Sequence, residues 1–257
     1  MTPDSVQIRR VTDPNDPAIA AFGTLQDRIY FEPEMLIPAR YIVHLLQDNG
    51  GARQNVLLLA EEHAPDGKPG RLLGGTLFHF LPEAGTGFSS FLGVDPSARG
   101  RGVARRLHTA RWQALQEVSG GQDGAGRDGA GQCRALFIDV VNPARESADQ
   151  REQERMAGSD ATARRQTFHA LGFRTVDLAY EQPVGGEDGG PVTDMDLLAY
   201  VPGLPESIPA ALVGATMQAY WTPWLGQAQA EKAALKLQAG QREVALLPAW
   251  EGPAARS

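Results

Sequence analysis

A short basic loop containing two glycines is the segment of this sequence best suited to hold an anion. Residues 99–104 read RGRGVA and precede a run with helical spacing. A helix start exposes backbone N–H groups without intrahelical acceptors, and the helix dipole favours negative charge there. The glycines leave room for a phosphate to approach the backbone, and the arginines add charge-assisted hydrogen bonds. The pattern therefore predicts a diphosphate site.

This loop differs from two familiar nucleotide-binding motifs. No GK[ST] tripeptide closes it, so it is not a P-loop, and its glycines are not spaced as GxGxxG, so it is not the dinucleotide fingerprint. A strand-like run and a turn at Asp95-Pro96 come before the loop. After it, apolar residues recur at spacings of four, three and four, which predicts an amphipathic helix with Val103, Leu107, Ala110 and Ala114 on one side.

Two residues on predicted strands could move protons. Asp139 lies in a central strand, where a buried carboxylate needs a purpose or a partner, and it is a candidate general base. The alternative is a structural ion pair with an arginine at the sheet edge. Tyr180 could donate a proton, although a tyrosine in a strand can also serve packing alone.

Histidine and cysteine give no metal-binding pattern. The five histidines show no HxxxH or HExxH spacing, so we expect no metal site. His79 lies between two phenylalanines, and we expect it to take part in strand packing. Cys133 is the single cysteine, which excludes an intramolecular disulfide and a multi-cysteine zinc site.

Composition excludes several classes of protein. The 257 residues are 42% hydrophobic, enough for a sizeable core, and the formal net charge of −7 disfavours a large basic surface for nucleic acid. The chain begins without an apolar signal segment, and no apolar run approaches the roughly 18 residues needed to cross a bilayer. We therefore expect a cytoplasmic protein that binds neither nucleic acid nor membrane.

Apolar periodicity predicts an alternation of strands and helices. The predicted order is β-α-α-β-β-β-α-β-α-β-β, which favours a mixed α/β fold of about seven strands flanked by helices. Three connectors interrupt this pattern: a glycine-rich stretch at 119–132, a charged stretch at 143–160 that could be a loop or a short helix, and a hairpin loop at 184–191.

The last fifty residues differ from the rest of the chain. Ser207 and Pro209 predict a helix start, a second helix is expected at 228–239, and 243–247 could form one strand. A segment of this size makes a poor independent domain. We therefore divide the chain into a main domain, 1–202, and a C-terminal helical extension, 203–257, that packs on it or on a second subunit.

The loop and its surroundings resemble the GNAT superfamily of acyl-CoA-dependent N-acyltransferases. The family signature [QR]xxGx[GA] is matched by Arg99, Gly102 and Ala104, and the preceding GVDP matches the usual lead-in. FHALGF, at 168–173, resembles the family's YxxxGF segment. The resemblance extends over about residues 6–201 and implies the GNAT fold.

The resemblance also implies a coenzyme site. The coenzyme A pyrophosphate would lie on the loop amides, with the pantetheine arm pairing to the fourth strand where the fourth and fifth strands splay apart. Asn142 matches an asparagine that often contacts pantetheine in this family. The residues expected to bind acetyl-CoA are Leu92, Val94, Arg99, Gly100, Arg101, Gly102, Val103, Ala104, Asn142 and Phe168.

One departure from the family pattern concerns the leaving group. Where the family commonly has a tyrosine that protonates the departing thiolate, this chain has Phe168, so that role does not carry over. A thiol with a pKa of about 8.5 can leave as the thiolate without protonation by a strong acid. Glu32 and Glu34 lie where the family shapes its acceptor pocket; they could attract an amine or form a solvated acidic turn.

Two functions follow from these observations. The first is an N-acetyltransferase that moves acetyl from acetyl-CoA directly to a primary amine of a small molecule or peptide, with Asp139 and Tyr180 as candidate catalytic residues and a homodimer as one possible assembly. The alternative is a binding module of the same fold that holds acyl-CoA and catalyses weakly or not at all.

Overall fold

The computed structural model describes residues 6–29, 36–62, 70–120, 132–156, 158–183, 190–238 and 240–253. Glu32 and Glu34 lie outside these residues, as do most of the glycine-rich connector and most of the loop at 184–191. The architecture is therefore built from the parts of the chain that carry the strands, the helices and the RGRGVA loop.

Nine strands form one mixed sheet within the described residues, in the order β1-β2-β3-β4-β5-β7-β6-β9-β8. The β4–β5 pair is parallel and the other neighbours are antiparallel. The strands are β1 (Val6–Val11), β2 (Gln54–Glu62), β3 (Leu72–Leu81), β4 (Thr86–Val94), β5 (Leu136–Val141), β6 (Phe173–Val176), β7 (Met195–Tyr200), β8 (Ser207–Pro209) and β9 (Glu243–Pro248).

Helices cover both faces of the sheet. A sheet buried on both faces needs apolar side chains at successive positions, as in the VLLLA run of β2, where neighbouring residues belong to opposite cores. The helices are α1 (Ala18–Asp27), α2 (Ala39–Gln47), α3 (Val103–Gly120), α4 (Ala148–Met156), α5 (Ala161–Ala170), α6 (Ala210–Leu225) and α7 (Gln227–Gln238).

The two faces carry different helices. On one face, α3 and α5 pack on alternate residues of the strands, including Leu58, Phe78 and Ile138. On the other face, α1 and α2 cover Leu57 and its neighbours, while α6 and α7 cover the part of the sheet around β5, β6 and β7. The side chains of one strand therefore alternate between two separate environments.

Strands β4 and β5 are neighbours over a short distance and then diverge. Their register contains the pairs Gly87–Leu136 and Phe88–Phe137, at the beginning of both strands. A β-bulge in β4 lies at the same level, because Phe78 of β3 pairs with Ser89 and Leu77 pairs with Phe91, which leaves Ser90 unpaired. The C-terminal halves of the two strands consequently border a gap in the sheet.

The class expected from the sequence, a mixed α/β sheet flanked by helices, is confirmed, and the strand count is higher than expected. The C-terminal extension adds β8 and β9, and β9 pairs with β6. Ser207–Pro209 is a strand where a helix start was expected, because the helix begins at Ala210, with Pro209 as its N-cap residue. The last two strands of the predicted order were expected at 174–181 and 193–201, and the first of them ends at Val176.

Within the single chain, the extension covers the face of the sheet that bears Phe88 and Phe137. Met217 and Trp221 of α6 are 0% and 1% exposed. The ring of Tyr220 stacks on Phe88 with 3.6 Å between ring centroids. These contacts bring the extension next to the gap between β4 and β5.

Candidate functional site

The RGRGVA loop has the backbone geometry of an anion site. Gly100 and Gly102 adopt φ values of +75° and +76°, a left-handed conformation that L-residues with a side chain rarely take. Helix α3 begins at Val103, and the amide of Arg106 donates to the carbonyl of Gly102 at 3.1 Å. The amides at the start of α3, before Arg106, have no helical acceptor and are available to a ligand.

The turn before the loop is held by Asp95. Its Oδ1 accepts a hydrogen bond of 2.9 Å from the backbone amide of Ser97, and its Oδ2 pairs with Arg28 at 3.1 Å. Burial opposes ionisation of this carboxyl, but the Ser97 hydrogen bonds and the nearby Arg28 outweigh it and lower the pKa of Asp95. The side chain that the sequence places at the turn therefore fixes the direction in which the chain enters the loop.

A cleft of about 490 Å³ begins at this loop. One wall is the C-terminal half of β4, with Leu92 and Val94, and the other is α5 with the residues just before it. The cleft also reaches Ile29, which packs with the core on the opposite face of the sheet. It is lined by the loop and helix residues Arg99, Gly100, Gly102, Val103 and Ala104.

The two loop arginines have different surroundings. Arg99 lines the cleft, and its guanidinium donates to the carbonyl oxygen of Gly158 on the opposite wall. Arg101 pairs with Glu62 at 3.0 Å and is not among the residues that line the cleft. Within the described residues, Arg99, Arg105 and Arg164 line the cleft, and Arg164 is paired with Glu154.

Phe168 forms part of the apolar wall of the cleft. It is 5% exposed and meets the ring of Phe173 edge to face, with 5.4 Å between centroids. Leu92 and Leu171 lie on the same cleft. These apolar surfaces suit an alkyl chain and supply no proton.

Asn142 belongs to a buried polar cluster at the end of β5. Its Nδ2 donates to Asp196 at 2.9 Å, and its Oδ1 accepts from the amide of Ala144 at 3.0 Å. Asp196 is fully buried and also pairs with Arg165 of α5 at 2.7 Å. The structure thus places Asn142 in a cluster that ties α5 to β7, and it is not among the residues that line the cleft.

Asp139 and Tyr180 lie together. The Tyr180 hydroxyl donates to Asp139 Oδ2 at 3.1 Å. Burial raises the pKa of Asp139 to about 6, although the hydrogen bond from Tyr180 partly opposes the shift. Burial and the neighbouring Asp139 raise the pKa of Tyr180 well above its ordinary value, so the phenol keeps its proton. Among the described residues, no arginine forms an ion pair with Asp139.

The cleft beside the RGRGVA loop and the Asp139–Tyr180 pair lie on opposite faces of the sheet. Leu92 and Val94 pack with the core beneath α3, whereas Phe137, two residues before Asp139, packs with the core beneath α6. Side chains two positions apart on a strand point to the same face, so Asp139 faces α6. The loop and the carboxylate therefore lie on opposite faces, beside the same gap between β4 and β5.

Sequence reasoning missed three polar residues near Asp139. His79, Ser90 and Tyr220 form a hydrogen-bonded chain, with 2.8 Å between His79 Nε2 and Ser90 Oγ and 3.1 Å between Ser90 Oγ and Tyr220 Oη. His79 was expected to pack in its strand, and it is indeed 2% exposed, but both of its ring nitrogens are hydrogen-bonded. The two phenylalanines that flank His79 in β3 predict its burial, but they carry no signal for partners on other elements.

Other chemistry is not supported by the described residues. They contain no group of three or more histidine, cysteine or acidic side chains that could hold a metal ion. Burial raises the pKa of the Cys133 thiol to about 12, so it is not a nucleophile at neutral pH. No helix in the described part of the chain is long and apolar enough to span a membrane.

Comparisons with known proteins bear on the fold. No family model matches the sequence, and a search of curated proteins finds no match. The structure is similar to a protein from Bacteroides thetaiotaomicron described as a GNAT-family acetyltransferase, with a TM-score of 0.52 and 15% identity over 86% of this chain and 98% of the other.

A second solved structure shows the same similarity. It is a tandem GNAT protein from the clavulanic acid biosynthesis pathway, with a TM-score of 0.50 and 13% identity over 69% of this chain and 46% of that one. At such identities the similarity concerns architecture. The diverging β4 and β5, the loop before α3 and these two structures together show that the chain has the GNAT fold.

Proposed function

We propose that the protein is an acyl-CoA-dependent N-acyltransferase that moves acetyl from acetyl-CoA directly to a primary amine. One observation carries the proposal: an anion-binding loop with an apolar cleft lies on one face of the sheet, and a carboxylate with a pKa of about 6 lies on the other, beside the same gap. Donor and acceptor could meet through that gap without a covalent acyl-enzyme.

The donor side fits coenzyme A in charge and shape. The amides that precede Arg106 and the guanidinium of Arg99 would hold the pyrophosphate. Leu92, Val94 and Phe168 offer an apolar wall to the pantetheine arm, and β4 pairs with β5 only at Gly87 and Phe88, so the arm could pair with β4 further along the strand. Asn142 donates a hydrogen bond to Asp196, and it would need to break that bond to contact the coenzyme.

The acceptor side fits the removal of a proton from an amine. The amine nitrogen attacks the thioester carbon, the carbon–sulfur bond breaks, and the excess proton on nitrogen passes to Asp139. A base with a pKa near neutrality is best matched to this task. The thiolate leaves with the electron pair of the broken bond and takes a proton from water, because Phe168 has none to give.

The acceptor class and the extension belong to the same proposal. A small-molecule or peptide amine could approach from the face covered by α1, α2 and α6.

We propose that 203–257 act as a buttress of the 1–202 domain, because Met217 and Trp221 are buried against it. The same burial within one chain gives the homodimer no support.

One experiment distinguishes acetyl transfer from the competing function, acyl-CoA binding without catalysis. Release of the CoA thiol from acetyl-CoA is followed with a panel of primary amines, for the native protein and for Asp139→Asn. Amine-dependent release that falls at least tenfold in the variant supports transfer with Asp139 as base. Tight acetyl-CoA binding with no amine-dependent release supports the binding module.

A further inference from the structure

Four polar side chains form a hydrogen-bonded chain that ends beside the gap between β4 and β5. Asn55 Oδ1 lies 2.7 Å from His79 Nδ1, and His79 Nε2 lies 2.8 Å from Ser90 Oγ. Ser90 Oγ lies 3.1 Å from the hydroxyl of Tyr220. The first three residues belong to the sheet and Tyr220 belongs to α6, so the extension supplies the end of the chain.

The direction of every hydrogen bond in this chain is fixed by its buried end. Asn55 Nδ2 donates to two backbone carbonyls, those of Leu45 at 2.7 Å and Asp48 at 3.1 Å. The nitrogen of the amide is thereby identified, so the atom that faces His79 is the oxygen and can only accept. His79 must therefore carry its proton on Nδ1 and donate it to Asn55.

The remaining directions follow from the neutral state of the histidine. Burial, with added repulsion from Arg53, lowers the pKa of His79 to about 3, so the ring carries one proton at neutral pH. Nε2 is then an acceptor, and the single proton of Ser90 must be donated to it. Ser90 Oγ consequently accepts from Tyr220, whose own proton is committed to that bond.

The last atom of the hydrogen-bonded chain is the hydroxyl oxygen of Tyr220, whose lone pairs are not used by the hydrogen bonds described above. Burial and the charge of Asp139 raise the pKa of Tyr220, so its hydroxyl stays protonated and continues to donate to Ser90. Tyr180 in turn donates to Asp139 Oδ2. Beside the gap, the protein therefore presents oxygen atoms that accept hydrogen bonds, from Tyr220 and from Asp139.

Two members of this group are partly exposed. Ser90, the bulge residue, and Asp139 retain partial exposure, while Tyr220 is 4% exposed. The Tyr220 ring is held by its stacking on Phe88 and by an edge-to-face contact with Trp224, with 4.6 Å between the latter centroids. Its hydroxyl is therefore held in place before any acceptor arrives, which lowers the entropy cost of binding.

We propose that Tyr220 and Asp139 form the binding subsite for the acceptor's amino group, in which the Tyr220 oxygen accepts a hydrogen bond from nitrogen and the Asp139 carboxylate holds its charge. This inference rests on the proposed function and assigns the recognition of the amine to a residue of the extension. Asn55, His79 and Ser90 are positioning residues, which keep the Tyr220 proton turned away from the acceptor.

The same directions argue against a donor role for Tyr220 toward the leaving thiolate. Its proton is held by Ser90, and Ser90's proton is held by His79. The chain also makes a poor proton acceptor at its far end, because burial lowers the pKa of His79 to about 3 and raises the pKa of Asp139 to about 6. A proton leaving the amine would therefore be found on Asp139.

The direction of the chain can be measured without any acceptor. Long-range ¹H–¹⁵N NMR of the histidine side chains distinguishes the two neutral tautomers, with His79 assigned by comparison with His79→Gln. The expected result is a neutral ring protonated on Nδ1 from pH 5 to 8, because its pKa of about 3 lies below that range. A ring protonated on Nε2 would overturn the proposal.

The amine subsite is tested with ethylamine as the probe and protein saturated with CoA. Its dissociation constant, from amide chemical shifts, is measured for the native protein, for Tyr220→Phe and for Tyr200→Phe. Tyr220→Phe keeps the ring on Phe88 and removes the oxygen, so binding should weaken about tenfold, as expected for a hydrogen bond to a charged group. Tyr200, on the α3 face, is the matched control and should leave binding unchanged.

The outcomes separate this inference from the proposed function. Equal affinity of Tyr220→Phe and native protein for ethylamine, or no binding by the native protein, overturns the subsite. Binding that weakens in Tyr220→Phe alone supports it, whether or not acetyl-CoA is consumed. If ethylamine binds in this way and no amine is ever acetylated, the subsite stands and the transfer reaction is wrong.

Discussion

The hydroxyl of Tyr180 donates a 3.1 Å hydrogen bond to Asp139, and this pair lies on the sheet face opposite the RGRGVA loop. A phenol that donates to a carboxylate stabilises the ionised form, while burial favours the protonated form. The balance gives Asp139 a pKa of about 6. Groups held near neutrality in this way are suited to general base catalysis.

The first prediction is a pH dependence set by this carboxyl. Tyr180 and Tyr220, the titratable groups that act on Asp139, both have raised pKa values and stay neutral below pH 8. Asp139 is a base only when ionised, so kcat/KM for the amine should fall as pH falls through about 6. Tyr180→Phe removes a hydrogen bond to the ionised form and should move the inflection up by about one unit. If the inflection of kcat/KM against pH did not move in Tyr180→Phe, the assignment of Asp139 as the base would be wrong.

A second prediction concerns the loop. Gly102→Glu places a bulky negative group at a φ of +76°, where the pyrophosphate would lie. Affinity for CoA, measured by calorimetry, should fall at least about tenfold, because like charges repel and the side chain occupies the anion site.

A matched control for the loop exists at the end of α6. Gly226 also has a φ of +76° and also has open space where a Cβ would be added, but it lies outside the cleft. Gly226→Glu should carry a similar strain of roughly 1–2 kcal/mol and leave CoA affinity unchanged. Equal CoA affinity in the Gly102 and Gly226 variants would refute the loop as the pyrophosphate site.

A third prediction assigns Phe168 to packing. Its ring lines the cleft and has no proton to donate, so any contact with the coenzyme arm is the same in the ground and transition states. Phe168→Leu should raise KM for acetyl-CoA several-fold at nearly constant kcat. A large fall in kcat at unchanged KM, in steady-state kinetics with a working amine, would mean that this position acts in the chemical step.

A fourth prediction concerns the extension. Trp221 of α6 is 1% exposed, so Trp221→Ala should lower the free energy of unfolding by about 3 kcal/mol or more. Leu235, 62% exposed on α7, provides the control, and Leu235→Ala should change stability by less than about 0.5 kcal/mol. Urea unfolding of both variants measures the difference. If the two variants were equally stable, α6 would not act as a buttress.

The sequence was most informative where local pattern and chemistry coincide. The strand, turn, loop and helix around Arg99 were predictable because helical periodicity, two glycines and two arginines all lie within one continuous segment. The elements of the main domain followed from periodicity in the same way. The parallel pairing of β4 and β5, and their divergence, depend on tertiary packing that no local pattern encodes.

Other features could not be predicted from the sequence, for identifiable physical reasons. β8 has three residues, too few to show alternation, and Pro209 next to a helical run suggested a helix start. The coenzyme contact that the resemblance implies for Asn142 stays a prediction, and in this structure its Nδ2 donates to Asp196. The hydrogen bond of Tyr220 had no signal in the sequence, because its partner Ser90 is distant along the chain and lies at a bulge.

The central claim, acetyl transfer to an amine across the gap between β4 and β5, is tested most directly by following the acetyl group itself. Acetyl-CoA carrying a ¹³C-labelled acetyl group is incubated with the protein and a panel of primary amines, and products are identified by mass spectrometry. We predict a labelled N-acetylated amine with the native protein and at least tenfold less with Asp139→Asn. Label that remains in acetyl-CoA, or appears as free acetate alone, would contradict the account.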